Sequence, residues 1–109
     1  QVSWADMTPL NTMTPTTLDV SAQRTGTDAL TVRLANHTRQ IAFFARAETL
    51  TDEAGAEILP AEYSDNYVTV FPGESVELRA TLPDGAHAGR VRVQGYNTPA
   101  LVVPVDGAT

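Results

Sequence analysis

An all-β domain, an immunoglobulin-like antiparallel sandwich of about seven strands, is what this sequence predicts. Three observations carry that reading. Short runs alternate apolar and polar residues with period two, the mark of strands with one face buried. Turn residues punctuate those runs every 8–12 residues or so. The 109-residue length suits one domain, and no segment shows a helical period.

Residues 1–16 stand apart. They are rich in Thr, Pro and Met, and Pro9 and Pro15 bias their predecessors toward extended backbone and forbid a regular helix. This stretch reads as a lead-in, with the sandwich spanning 17–109. Its start, Gln1-Val2-Ser3-Trp4-Ala5, lacks the layout of a signal peptide and suggests a piece cut from a longer chain.

From Thr17 the strands follow in order. Leu18, Val20 and Ala22 alternate with Asp19, Ser21 and Gln23, and Leu30, Val32 and Leu34 alternate with Thr31, Arg33 and Ala35. A Thr25-Gly26-Thr27-Asp28 turn joins the two, and Asn36 to Gln40 forms the next turn. The third run, Ile41 to Leu50, puts Phe43, Ala45 and Ala47 on a core face and Phe44, Arg46 and Glu48 on the other. Asp52-Glu53-Ala54-Gly55 is a turn. A short strand over Tyr67 to Phe71 ends at Pro72-Gly73, where Pro presets φ and Gly accepts a positive one. Val76, Leu78, Ala80 and Leu82 make the next strand, and a loop from Pro83-Asp84-Gly85 runs to Gly89. Val91 and Val93 belong to another strand. The last covers roughly Ala100 to Val105, with Pro104 suggesting a sheet edge.

Composition narrows function. Thirteen acidic and seven basic residues give a net charge of −6, so neither nucleic acid nor an anionic membrane surface is an expected partner. All seven basic residues are Arg, a bias that favours a GC-rich bacterial source. The absence of Cys removes disulfides, thiolate catalysis and zinc–thiolate sites. No apolar run approaches the roughly 20 residues that span a bilayer. No cofactor is expected.

Four blocks are more specific than their periodicity: Ile41-Ala42-Phe43-Phe44-Ala45-Arg46; Ile58-Leu59-Pro60-Ala61-Glu62-Tyr63-Ser64-Asp65-Asn66-Tyr67; Phe71-Pro72-Gly73-Glu74-Ser75; and Val91-Arg92-Val93-Gln94-Gly95-Tyr96-Asn97. In this order and spacing, over roughly residues 17–97, the chain resembles the C-terminal immunoglobulin-like domain of glycoside hydrolase family two enzymes. The branch it is similar to holds the exo-β-D-glucosaminidases and β-mannosidases. The resemblance implies a parent with several sandwiches and a TIM barrel bearing two catalytic Glu residues. This chain lacks the barrel, so it receives no catalytic residue. Its implied partners are the catalytic and neighbouring domains of the parent, and also amino- or manno-oligosaccharides. The implied location of the parent is extracellular or periplasmic.

The candidate residues stand on their own chemistry. Glu48, Glu62, Asp65 and Glu74 offer carboxylates, but glycoside hydrolysis needs a pair about 5–9.5 Å apart across a cleft, which a filled sandwich lacks. Asp65 and Asn66 suit a backbone-capping bend, with a sugar or calcium contact as the alternative. His37 and His87 lie in loops without triad or metal spacing. Asn36-His37-Thr38 matches the N-glycosylation pattern. Tyr63, Tyr67 and Tyr96 are the candidate platform for stacking sugar rings, and the plainer reading is Tyr packing its ring at strand ends. Trp4, Phe44 and Arg46 are the candidate domain interface, since an outward Phe in an acidic chain marks a contact surface. The expected role is a non-catalytic accessory domain supporting its parent's stability or substrate access. A carbohydrate-binding module and a protein–protein or adhesion module are the alternatives.

Overall fold

Leu30, Val32 and Leu34 have no exposed surface, while Arg33 between them is exposed, so the period-two run becomes a strand with one buried face. The computed structural model describes residues 15–51, 58–59, 61–83 and 86–106. Among them the strands are β1 (Asp19–Gly26), β2 (Ala29–Ala35), β3 (Ala42–Thr51), β4 (Ile58–Leu59), β5 (Glu62–Tyr63), β6 (Val68–Val70), β7 (Ser75–Thr81), β8 (Ala88–Gly95) and β9 (Thr98–Asp106). They form one continuous path, β4-β3-β8-β9-β1-β2-β7-β5, with β6 added to β3. The path curls into two facing halves, the architecture of an immunoglobulin-like sandwich.

The count exceeds the expected seven because β4 and β5 are two residues each, too short to show any period. They change halves: β4 pairs with β3, and only a few residues later β5 pairs with β7. The sandwich is also not wholly antiparallel. β1 and β9 run parallel at Ala22↔Val105 and Gln23↔Asp106. A parallel pair cannot be joined by a tight turn, and these are the first and last strands among the described residues. Pro104 was expected at a sheet edge, but β9 lies between β8 and β1. The parallel ladder starts only at Val105, so Pro104 occupies the stretch before it.

Apolar residues from both halves fill the interior: Leu18, Ala22, Leu30, Val32, Leu34, Leu78 and Ala80 from one, Ala45, Ala47, Val91 and Val93 from the other. Cross-strand partners match a large side chain with a smaller one, as Leu30 with Ala80. Such interdigitation fills space without voids.

The turns are held by specific bonds. β1 runs on to Gly26, shortening the first turn to Thr27–Asp28, and the Arg24 guanidinium donates to the carbonyls of Gly26 and Thr27. Gly73 takes φ +80°, as the Pro72-Gly73 turn requires, and its N–H donates to the Asn36 carbonyl at 2.8 Å. Asn36 is fully buried. Its Nδ2 donates to the carbonyls of Gln40 and Val70, and its Oδ1 accepts from the Thr38 backbone and hydroxyl. The glycosylation pattern is therefore a buried loop clamp, because the acceptor nitrogen is inside the fold. The expected turn at Asp52–Gly55, Asp84 and Gly85 of the later loop, Trp4, and residues 1–14 of the lead-in lie outside the described residues.

Candidate functional site

Ala42 and Ala45 of β3 are both fully buried, yet they are three residues apart, and strict alternation forbids that. Their partners on β6, Val70 and Val68, are two apart, so β3 carries one extra residue. This β-bulge re-aims the side chains around it. Phe43, expected in the core, is only half-buried. Phe44 points outward as the alternation predicts, but with φ +52°, an unusual backbone for a bulky residue.

The opposite strand end holds the bulge. The Phe43 N–H donates to Asn97 Oδ1 at 2.9 Å, and Asn97 Nδ2 donates to the Ile41 carbonyl at 2.7 Å. The Phe43 carbonyl accepts from the Tyr96 N–H at 2.9 Å. Gly95 makes room for this: a Cβ there would stand 2.9 Å from the Phe43 oxygen and 3.1 Å from Ala45 Cα. Each bond satisfies a backbone group that the bulge takes out of the sheet ladder.

The outcome is an aromatic patch. Phe44 is 52% exposed, Tyr67 58% and Tyr96 36%. With Arg46, Gln94 and Gly95 they line a surface depression of about 290 Å³. The Arg46 guanidinium lies over the Tyr67 ring, 5.8 Å from its centroid, a cation–π arrangement. The Phe43 and Phe44 rings meet at 6.0 Å, tilted by 45°.

The structure thus merges two sets of candidates that the sequence kept apart. Phe44 and Arg46, the interface candidates, share one depression with Tyr67 and Tyr96, the sugar candidates. Gln94 and Gly95 were missed as lining residues. A glycine inside a strand run was the available signal, since it marks a bulge or a close backbone approach.

Tyr63 is not at this patch. It packs partly buried against the core from β5, and its hydroxyl shares a hydrogen bond with Thr49 of β3, latching the two halves. Burial pushes the Tyr63 hydroxyl above its ordinary value; the Thr49 bond opposes this and the Glu48 charge adds to it. Asp65 and Asn66 are exposed on the bend before Tyr67. The bonds that pin this bend come from Ser64 instead: its N–H donates to the Arg79 carbonyl, and its hydroxyl accepts from the Arg79 N–H.

The carboxylates do not assemble into an acid/base pair. Glu48 is engaged by Arg92, directly opposite on β8, whose Nη2 and Nε lie 2.6 and 3.0 Å from Oε1. Glu62 and Glu74 are exposed on separate elements. His37 meets Asp19 at 3.4 Å on an exposed surface, and His87 is exposed. Among the described residues no three His, Asp or Glu side chains converge as a metal site would require. Among the described residues, the patch offers rings and apolar groups for stacking and one cation, Arg46, and presents no Ser, Thr or Cys nucleophile.

A family model described as the exo-beta-D-glucosaminidase Ig-fold domain matches residues 1–98. Exo-beta-D-glucosaminidase of Arthroderma benhamiae is 35% identical over 100 residues, covering 92% of this chain and 11% of that protein. The enzyme of the same name from Streptomyces avermitilis is 36% identical over 111 residues, covering 94% and 12%. In three dimensions the chain is similar to an exo-chitosanase of Amycolatopsis orientalis solved with PNP-beta-D-glucosamine, with TM-score 0.78 and 32% identity, over 95% of this chain and 13% of that one. The chain therefore spans about an eighth or less of the relatives it matches. The E. coli chaperone DraB, with TM-score 0.58 and 10% identity over 82% of this chain, shares the fold alone.

Proposed function

The chain belongs to the exo-beta-D-glucosaminidase Ig-fold domain family, and from that membership we propose that it is a non-catalytic accessory domain of a multidomain glycosidase, held against the catalytic part of its parent. There it supports the parent's stability or the approach to its substrate. The observation that carries this reading is Phe44. A bulky apolar side chain, half exposed on a left-handed backbone, costs about 1–3 kcal/mol in strain without filling the domain's own core. Such strain is retained where an exposed ring has a use. In the parent, that use is contact with a neighbouring surface.

The test is removal of this domain from the full-length parent. The expected outcome is a lower melting temperature or reduced solubility of the remainder. A remainder with unchanged melting and full activity would show that the domain supports nothing.

A second reading, an independent carbohydrate-binding module, draws support from Tyr67 and Tyr96 lining one depression. Against it, Tyr63 is engaged elsewhere, so a platform of three tyrosines does not form. The adhesion reading through a sheet edge has less support, because β4 and β5 at the ends of the path are two residues each and template little strand addition.

A further inference from the structure

Among the described residues, Arg46 is the one charged side chain lining the aromatic depression, in a protein of net charge −6. Glu48, two residues along the same face of β3, is held by Arg92 at 2.6 Å. Arg46 therefore has no carboxylate partner among the described residues and rests on the Tyr67 ring. Its guanidinium is stacked and oriented, and its hydrogen-bond donors meet no acceptor side chain among the described residues. Around it lie Phe44, Tyr67 and Tyr96, half exposed or nearly so. An interface core enriched in aromatics and Arg has this composition.

We infer that this depression docks an apolar protein surface bearing a carboxylate opposite Arg46, and that the surface lies on the catalytic part of the same parent chain. Charge complementarity carries the inference. An oligomer of glucosamine carries amines that are protonated in mildly acidic solution, and Arg46 repels that cationic form at the patch. A carboxylate gains a planar donor fork that is already aimed. The size relation agrees: the chain accounts for 13% of the exo-chitosanase it superimposes on, so most of such a parent lies outside it and is available to cover the patch. The inference rests on the accessory-domain reading and adds to it the face used and the chemistry of the partner.

The experiment reverses charge on two faces. Arg46→Glu is compared with Arg79→Glu, an exposed position on β7 in the other half of the sandwich, each in the 109-residue chain and in the full-length parent. In the chain alone both variants melt close to the unaltered protein. In the parent, Arg46→Glu lowers the melting of this domain by about 5 °C, toward its value alone, while Arg79→Glu leaves it in place. Equal effects of the two substitutions in the parent would overturn the assignment of this face. If the unaltered domain melts at the same temperature alone and in the parent, docking itself fails, and with it the accessory reading. Glucosamine oligomers at millimolar concentration are then titrated into the chain alone. Shifts at Phe44, Tyr67 and Tyr96 would make the depression a sugar site and overturn the protein partner; unshifted resonances support it.

Discussion

Tyr63 ties the two halves of the sandwich together by a side-chain bond, since its own strand pairs with β7 while Thr49 lies in β3. Its hydroxyl reaches Thr49, whose side chain is fully buried in the opposite half. Tyr63→Phe keeps the ring and removes the bond, leaving a buried hydroxyl without its partner, and should cost about 1–3 kcal/mol in chemical denaturation. The pH dependence follows from the raised pKa. Folded Tyr63 holds its proton more tightly than the unfolded chain, whose Tyr titrates near 10.0. Below that pH both states are protonated and stability is at its full value. Above it the unfolded chain ionises first, and stability falls until the folded value is passed. Tyr63→Phe should remove this alkaline decline, and an undiminished decline in the variant would place its origin elsewhere. At this scale local alternation accounts for only part of the site. The outward side of Phe44 follows from alternation, yet its cause, the bulge, does not, and the same alternation misplaces Phe43. Tyr63, Tyr67 and Tyr96 look alike in sequence. Which of them is buried depends on contacts between β5 and β3, which no local pattern encodes.

The bulge in β3 is the element on which the patch depends. Ile41 to Arg46 supplies the extra residue, and Gly95 to Asn97 supplies the room and the bonds that hold it. A Cβ at position 95 would press on the Phe43 carbonyl and Ala45 Cα, both backbone atoms that cannot swing away. Gly95→Ala should therefore destabilise the chain by about 1–3 kcal/mol and shift the resonances of Phe44 and Tyr96. A variant of unchanged stability and spectrum would show that the bulge does not need this glycine. The long strands were legible because each buries one face. The two-residue strands β4 and β5 were not, since two residues carry no period. The parallel β1–β9 pairing was hidden for another reason: it joins strands about eighty residues apart in sequence, and no turn residue announces it.

At the scale of the molecule, the blocks that carried the family resemblance have structural work. Ile41–Arg46 and Gly95–Asn97 build the bulge, Ser64 pins the bend that presents Tyr67, and Pro72-Gly73 turns back onto the buried Asn36 clamp. Three of these four pieces converge on the aromatic depression. The fold class was legible from periodicity and the family from these blocks. The site was legible only as separate residues, because their convergence requires β3 to pair with β6 and β8 across long stretches of sequence. If this face is covered in the parent, its backbone amides are shielded there, which amide hydrogen exchange reads out. Exchange is compared between the 109-residue chain and the same residues within the full-length parent. Exchange should slow by about tenfold or more around Phe44–Arg46, Tyr67 and Gln94–Tyr96, with the outer face of β2 and β7 unchanged. Equal exchange at the patch in both settings, or protection confined to β2 and β7, would contradict it.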